Sequence, residues 1–100
     1  MRFVINGLKY DTENMEKVAN VKKWYESRSQ LIKAIYNNAK VGTIHDCELW
    51  KSKKENWLLT HTEDYATKVG EAITEEEAKS LLMRYAPDDY EKRFEEIPEA

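Results

Sequence analysis

Two histidines and a cysteine are the residues best suited to chemistry in this 100-residue sequence: His45-Asp46-Cys47 and, sixteen positions after the first, His61. Imidazole and thiolate are both zinc ligands. On a strand, His45 and Cys47 alternate onto one face, and His61 falls near the end of the strand that would pair with it, so the three can converge. A structural zinc site normally takes four ligands in tighter pairs, and a hydrogen-bonded histidine beside a small buried thiol is the commoner arrangement. No metal and no cofactor is expected. Asp46, Glu48 and Lys51 form an acidic pair followed by a lysine, but the spacing is E-x-x-K. A nuclease core of the E-x-K type needs both groups on one strand face, and here Glu48 and Lys51 point to opposite faces. There is no Gly-rich phosphate loop, and nothing arranges serine, histidine and acid as a triad. The chain is expected not to be an enzyme.

A second candidate is a basic, aromatic stretch, CELWKSKKENWLL (47–59). Trp50 and Trp57 bracket Lys51, Lys53 and Lys54. Single-stranded nucleic acid is bound by aromatics that stack on bases and lysines that meet phosphates, and both are here. Against this, the sequence pI is about 5.4, whereas nucleic-acid binders are usually basic. Tryptophan and tyrosine are also good strand residues that fill cores. Two strands and a turn are the leading interpretation, with Trp57 and Leu59 on one face and Leu58 on the other; a nucleic-acid-binding hairpin is the alternative.

The elements that would hold these groups follow from local signals. Arg2-Phe3-Val4-Ile5, Asn6-Gly7 and Leu8-Lys9-Tyr10 predict a hairpin, because both turn positions tolerate positive φ. Asp11 and Thr12 suggest a cap for a short helix, with Met15, Val18 and Ala19 at helical spacing. Residues 21–25 fit strand or helix. Ser27-Arg28-Ser29-Gln30 matches a capping box, and the apolar spacing after it predicts a helix over about 28–39. Residues 43–51 and 56–61 predict a second hairpin, closed by Ser52–Glu55. Thr74 with Glu77 forms a capping box, and Ala78, Leu81, Leu82 and Tyr85 make a buried stripe ended by Pro87. A further helix starts near Asp88, with Tyr90 and Phe94 inward, and residues 98–100 are expected to fray. The fold class is therefore α+β: a small antiparallel sheet of about four strands in two hairpins, with two or three helices packed on one face.

One domain over residues 1–100 fits this length. One cysteine in the whole sequence excludes an internal disulfide and suits a reducing cytoplasm. No apolar run is long enough to span a membrane, and the start lacks the pattern of a secretory signal. The net charge of −3 conceals an asymmetry. Residues 1–60 carry 11 Lys and Arg against 7 Asp and Glu, or +4; residues 61–100 carry 5 against 12, or −7. A strongly acidic end suits a basic partner.

Ile5-Asn6-Gly7-Leu8-Lys9-Tyr10-Asp11-Thr12-Glu13 resembles the opening of a group of small, largely uncharacterised proteins of bacteriophages and mobile elements, mostly of Firmicutes. The resemblance continues through Cys47-Glu48-Leu49-Trp50-Lys51 and Trp57-Leu58-Leu59, then Thr74-Glu75-Glu76-Glu77-Ala78, then Tyr90-Glu91-Lys92-Arg93-Phe94. It departs where Trp50-Lys51 replaces Tyr-Arg and where Glu55-Asn56 stands in place of glycine. It implies a fold and an origin and carries over no active site. Small acidic proteins of that origin are often inhibitors of host defence, including anti-CRISPR proteins that offer carboxylates to a basic nucleic-acid channel. The resemblance therefore implies a cytoplasmic, non-enzymatic protein-binding module, an inhibitor of a defence nuclease. Glu63, Asp64, Glu71, Glu75 and Glu76 are the expected partner-binding residues, since a row of carboxylates imitates phosphate charge.

Overall fold

The computed structural model describes residues 1–26, 41–63 and 66–100. The expected helix over 28–39 lies outside the described residues, as does Asp64. The remainder is α+β, with six strands rather than four. A two-stranded hairpin, β1 (Arg2–Ile5) and β2 (Leu8–Asp11), precedes an antiparallel meander of β3 (Glu16–Glu26), β4 (Gly42–Lys51), β5 (Trp57–Glu63) and β6 (Thr67–Ile73). Two helices follow, α1 (Glu75–Tyr85) and α2 (Pro87–Arg93). Among the described residues no helix is long and apolar enough to cross a membrane.

The first hairpin turns at Asn6 and Gly7, with φ of 51° and 78°, the positive-φ pair that a two-residue turn of matching twist demands. The expected short helix after Asp11 is a correction. Asp11 caps only a 3-10 turn over Thr12–Asn14, accepting from the Glu13 amide at 3.1 Å, and the chain then extends into β3. The register between β3 and β4 shifts between Lys17 and Ala19, with Val18 as the extra residue. That bulge breaks the two-residue alternation, so Val18 and Val21 both enter the core, three positions apart, and imitate helical spacing. Residues 21–26 are thereby settled as strand.

The two faces of the meander have different covers. Val21, Cys47, His61 and Val69 align across the four strands on one face. Beside them, Leu49, Leu59 and Trp57 pack under Ala78 and Leu82 of α1 and Tyr90 of α2. Leu49, Leu59 and Leu82 are fully buried, each worth roughly 1.5–3 kcal/mol by area. α1 starts where the sequence predicts: Thr74 accepts from the Glu77 amide at 3.1 Å and the Glu77 carboxylate returns to the Thr74 backbone. On the opposite face lie Leu58, Thr60, Gly70 and Ala72. The first hairpin packs there, and the Phe3 ring rests directly on Gly70.

Candidate functional site

The polar cluster lies on the helix-side face, toward the end where β3 and β4 pair beyond β5. β3 and β4 pair as far as Glu26 and Gly42, whereas β4 and β5 part after Cys47 and His61. His45, Cys47 and His61 do converge on one face, as the spacing allows. The His45 and His61 rings stand 5.0 Å apart, and Cys47 lies directly opposite His61. Tyr25 stacks on His61 at 4.3 Å and meets His45 edge-on at 5.6 Å.

Over this group, the two outermost strands of the meander join hands. Lys23 Nζ donates to Glu71 Oε1 at 2.8 Å, and the Tyr25 hydroxyl donates to the same oxygen at 3.2 Å. Lys23 and Tyr25 belong to β3, Glu71 to β6, so the sheet curls until its edges come within side-chain reach. His61 is 4% exposed and sets Nε2 3.2 Å from Glu63 Oε1. Its Nδ1 is the buried side-chain polar atom without a partner among the described residues.

Tyr25 and Cys47 are both driven toward their neutral forms here. Burial pushes the Tyr25 hydroxyl far up, and the Glu71 carboxylate and Cys47 push it further. Burial raises the Cys47 thiol as well, against the opposing pull of the Tyr25 hydroxyl and the Lys23 backbone. A thiol held protonated and 2% exposed is a poor nucleophile, because the thiolate is the reactive form. Among the described residues, no three His, Cys, Asp or Glu side chains stand where they could share a metal ion. The cluster ties β3 to β6 across the helix-side face.

The 50–57 hairpin is corrected in one decisive respect. Trp57 is 2% exposed, under Phe94 at 6.3 Å and Lys51 at 5.5 Å, so it has no free face for a base. Trp50 is half-buried and donates through Nε1 to Thr60 at 3.0 Å on the opposite face. Of the candidate nucleic-acid-binding residues, only Lys53 and Lys54 are exposed, beside Glu55 on a loop held by Ser52–Asn56 hydrogen bonds. Glu55 takes φ 66° there, where a glycine would be easier. Lys51 lies between the Trp57 ring and Glu55, 3.9 Å away.

Comparison with protein-family models, with curated proteins and with solved structures found no match.

The expected acidic residues divide into two groups. Glu63 and Glu71 are committed inside the molecule, to His61 and to Lys23 with Tyr25. Glu75 and Glu76 are exposed in the first turn of α1, where carboxylates suit the positive helix end. Further exposed acids follow: Asp88 in the first turn of α2, and Glu95 and Glu96 just beyond its end. Residues 74–100 hold nine Asp and Glu against four Lys and Arg. Three of those four cations are occupied: Arg93 pairs with Glu16 at 2.7 Å, Lys79 lies over Phe94, and Arg84 lies over Tyr85. Arg93 holds the Glu16 carboxyl below its ordinary range through that hydrogen bond. Sequence reasoning did not find Lys23 and Tyr25. Their spacing of two residues is the signal that would have placed them on one strand face.

Proposed function

We propose that this domain is a non-enzymatic protein-binding module whose acidic helical layer engages a basic surface on its partner. The observation that carries this reading is the unbalanced charge of residues 74–100, nine acids against four bases. Glu75, Glu76, Asp88, Glu95 and Glu96 are exposed there, and no ion pair among the described residues involves any of them. Exposed carboxylates without ion-pair partners among the described residues would steer encounter with a positive channel and compete with the phosphates that channel normally holds. The resemblance to proteins of phages and mobile elements points to a defence nuclease of the bacterial host as the partner class, with inhibition as the outcome. The buried, protonated cysteine and the buried Trp57 favour this over a catalytic or base-stacking role.

The test compares the unaltered chain with a triple variant, Glu76→Lys, Asp88→Lys and Glu96→Lys. All three side chains are exposed, but Glu76 and Asp88 sit in the first turns of α1 and α2, so the melting temperature should fall by several degrees, and capture is run well below it. Tagged protein is used to capture partners from lysate containing defence nucleases, with and without nucleic-acid digestion. A stoichiometric nuclease held through digestion, and lost from the triple variant, supports the proposal. Equal capture by the variant refutes the acidic layer as the contact. Recovery of nucleic acid, with every protein lost on digestion, refutes the protein-binding role.

A further inference from the structure

We propose that two copies of this chain pair antiparallel along the outer edge of β3, with the two-fold axis at Trp24. β3 ends the strand order of the meander. Apart from its ladder with β4, no backbone–backbone hydrogen bond among the described residues reaches it. A strand edge with free donors and acceptors is a template for a further strand.

The side chains select the occupant. Lys22, Trp24 and Glu26 alternate onto the face opposite the helices, across from Asp46, Ile44 and Gly42. The Trp24 ring lies over Gly42, where a Cβ would come within 2.5 Å of the indole, so the indole is held flat on the ribbon while 46% exposed. Ile44, its cross-strand neighbour, is 60% exposed. Antiparallel self-pairing about Trp24 sets each residue opposite the one equally far beyond the axis. Lys22 of each copy then faces Glu26 of the other, twice by symmetry, and the two indoles meet between the two Ile44 side chains. The apolar strip becomes continuous over four strands.

Other registers lose this match. Centring on Lys22 or Lys23 puts lysine opposite lysine, and centring on Val21 puts Glu16 opposite Glu26. Lys22 is free to turn outward, since its present partner Asp46 is 3.6 Å away with a side chain 90% exposed. The K-x-W-x-E order is complementary to itself only when read antiparallel, which identifies a second copy of this chain as the partner. The contact is a five-residue ladder, smaller than the roughly 800 Å2 per partner of a standard interface, so the dimer is weak.

Sedimentation equilibrium of the whole chain, from about 10 μM to about 1 mM and at two salt concentrations, suits that weak range. The expected result is a reversible dimer that loosens with salt. Lys22→Glu and Glu26→Lys alone each turn two attractive contacts into repulsive ones and should weaken dimerisation about tenfold. The double exchange, K22E with E26K, restores the complementarity and should return the affinity to within about threefold. Melting temperatures of the three variants, whose altered side chains are exposed, confirm folding. A monomer throughout the range, a dimer indifferent to the single changes, or a double variant no better than the singles overturns the proposal. None of these residues lies in the acidic helical layer, so partner capture by that layer and pairing through β3 stand or fall separately.

Discussion

Gly70→Ala is the change whose sign depends most directly on how the first hairpin sits on the meander. Position 70 is in the middle of β6, opposite Thr60. Glycine inside a strand is usually a weakness, and adding a methyl group in open space would be expected to stabilise by about 0.5–1 kcal/mol. Here a Cβ would stand 2.7 Å from Phe3 Cγ, 2.8 Å from Cδ1 and 2.9 Å from Cδ2. Unbonded carbons prefer about 3.5–4.0 Å, so the ring must retreat by most of an ångström. Cγ is the root of the ring, so spinning the ring in place does not move it. Either χ1 of Phe3 must leave its present rotamer or the backbone of β1 must lift, and each weakens the contact of the hairpin with Gly70. Overpacking of this kind costs about 1–3 kcal/mol, which outweighs the gain from the glycine. For a chain of this size that is a fall in melting temperature of about 4–8 °C per kcal/mol. The assay is thermal and urea unfolding of Gly70→Ala, Phe3→Ala and the double variant. In the Phe3→Ala background the added methyl group should be neutral or stabilising, giving a coupling of about 1 kcal/mol or more. A higher melting temperature for Gly70→Ala alone, or the same change in both backgrounds, refutes the placement of Phe3 on Gly70.

Two further outcomes test the helix start and the polar cluster. Thr74→Ala removes the oxygen that accepts from the Glu77 amide and should destabilise by about 0.5–2 kcal/mol; Thr74→Asp, measured by urea midpoint, should restore most of the loss. Tyr25 is held protonated in the folded chain by burial, reinforced by Glu71 and Cys47. A tyrosine in the unfolded chain ionises near about 10, so the contribution of Tyr25 is fully present below that pH and is lost as pH rises above it. Urea midpoints from pH 8 to pH 11 should fall less steeply for Tyr25→Phe, which keeps the ring over His61 and has no proton to lose. Parallel curves for the two proteins refute the assignment.

How far the sequence discloses this molecule depends on which physical signal each segment carries. Asn6-Gly7 and the Thr74–Glu77 box are short-range chemistry, and both elements stand where they were expected. Residues 57–59 alternate as anticipated, with Trp57 and Leu59 under the helices and Leu58 on the other face. β6 was hidden because Gly70 and Ala72, the residues facing the hairpin, are small, so the period of two is visible on one side of the strand alone. The bulge at Val18 disguised β3 as the start of a helix. The convergence of His45, Cys47 and His61 followed from strand alternation. The clamp of Lys23 and Tyr25 on Glu71 did not, because it depends on the curl of the sheet, which no local pattern encodes. For the same reason the sequence puts Glu71 among the partner-binding acids, whereas its carboxylate is tied across the meander.

The central strand has a consequence for how the chain reaches this state. Trp57, Leu58, Leu59, Thr60 and His61 are buried in succession, because β5 has cover on both faces. That cover comes from opposite ends of the described chain: the hairpin of residues 2–11 on one side, and α1 and α2, residues 75–93, on the other. During vectorial synthesis the hairpin is ready early, but the Trp57–Leu59 face stays wet until the ribosome has released the residues of both helices. A nascent chain halted at residue 73 would present a half-dressed sheet, an aggregation-prone surface of the kind chaperones bind. Folding of this sheet is therefore expected to be a single late event, timed by the emergence of Leu82 and Tyr90 rather than by completion of the strands themselves.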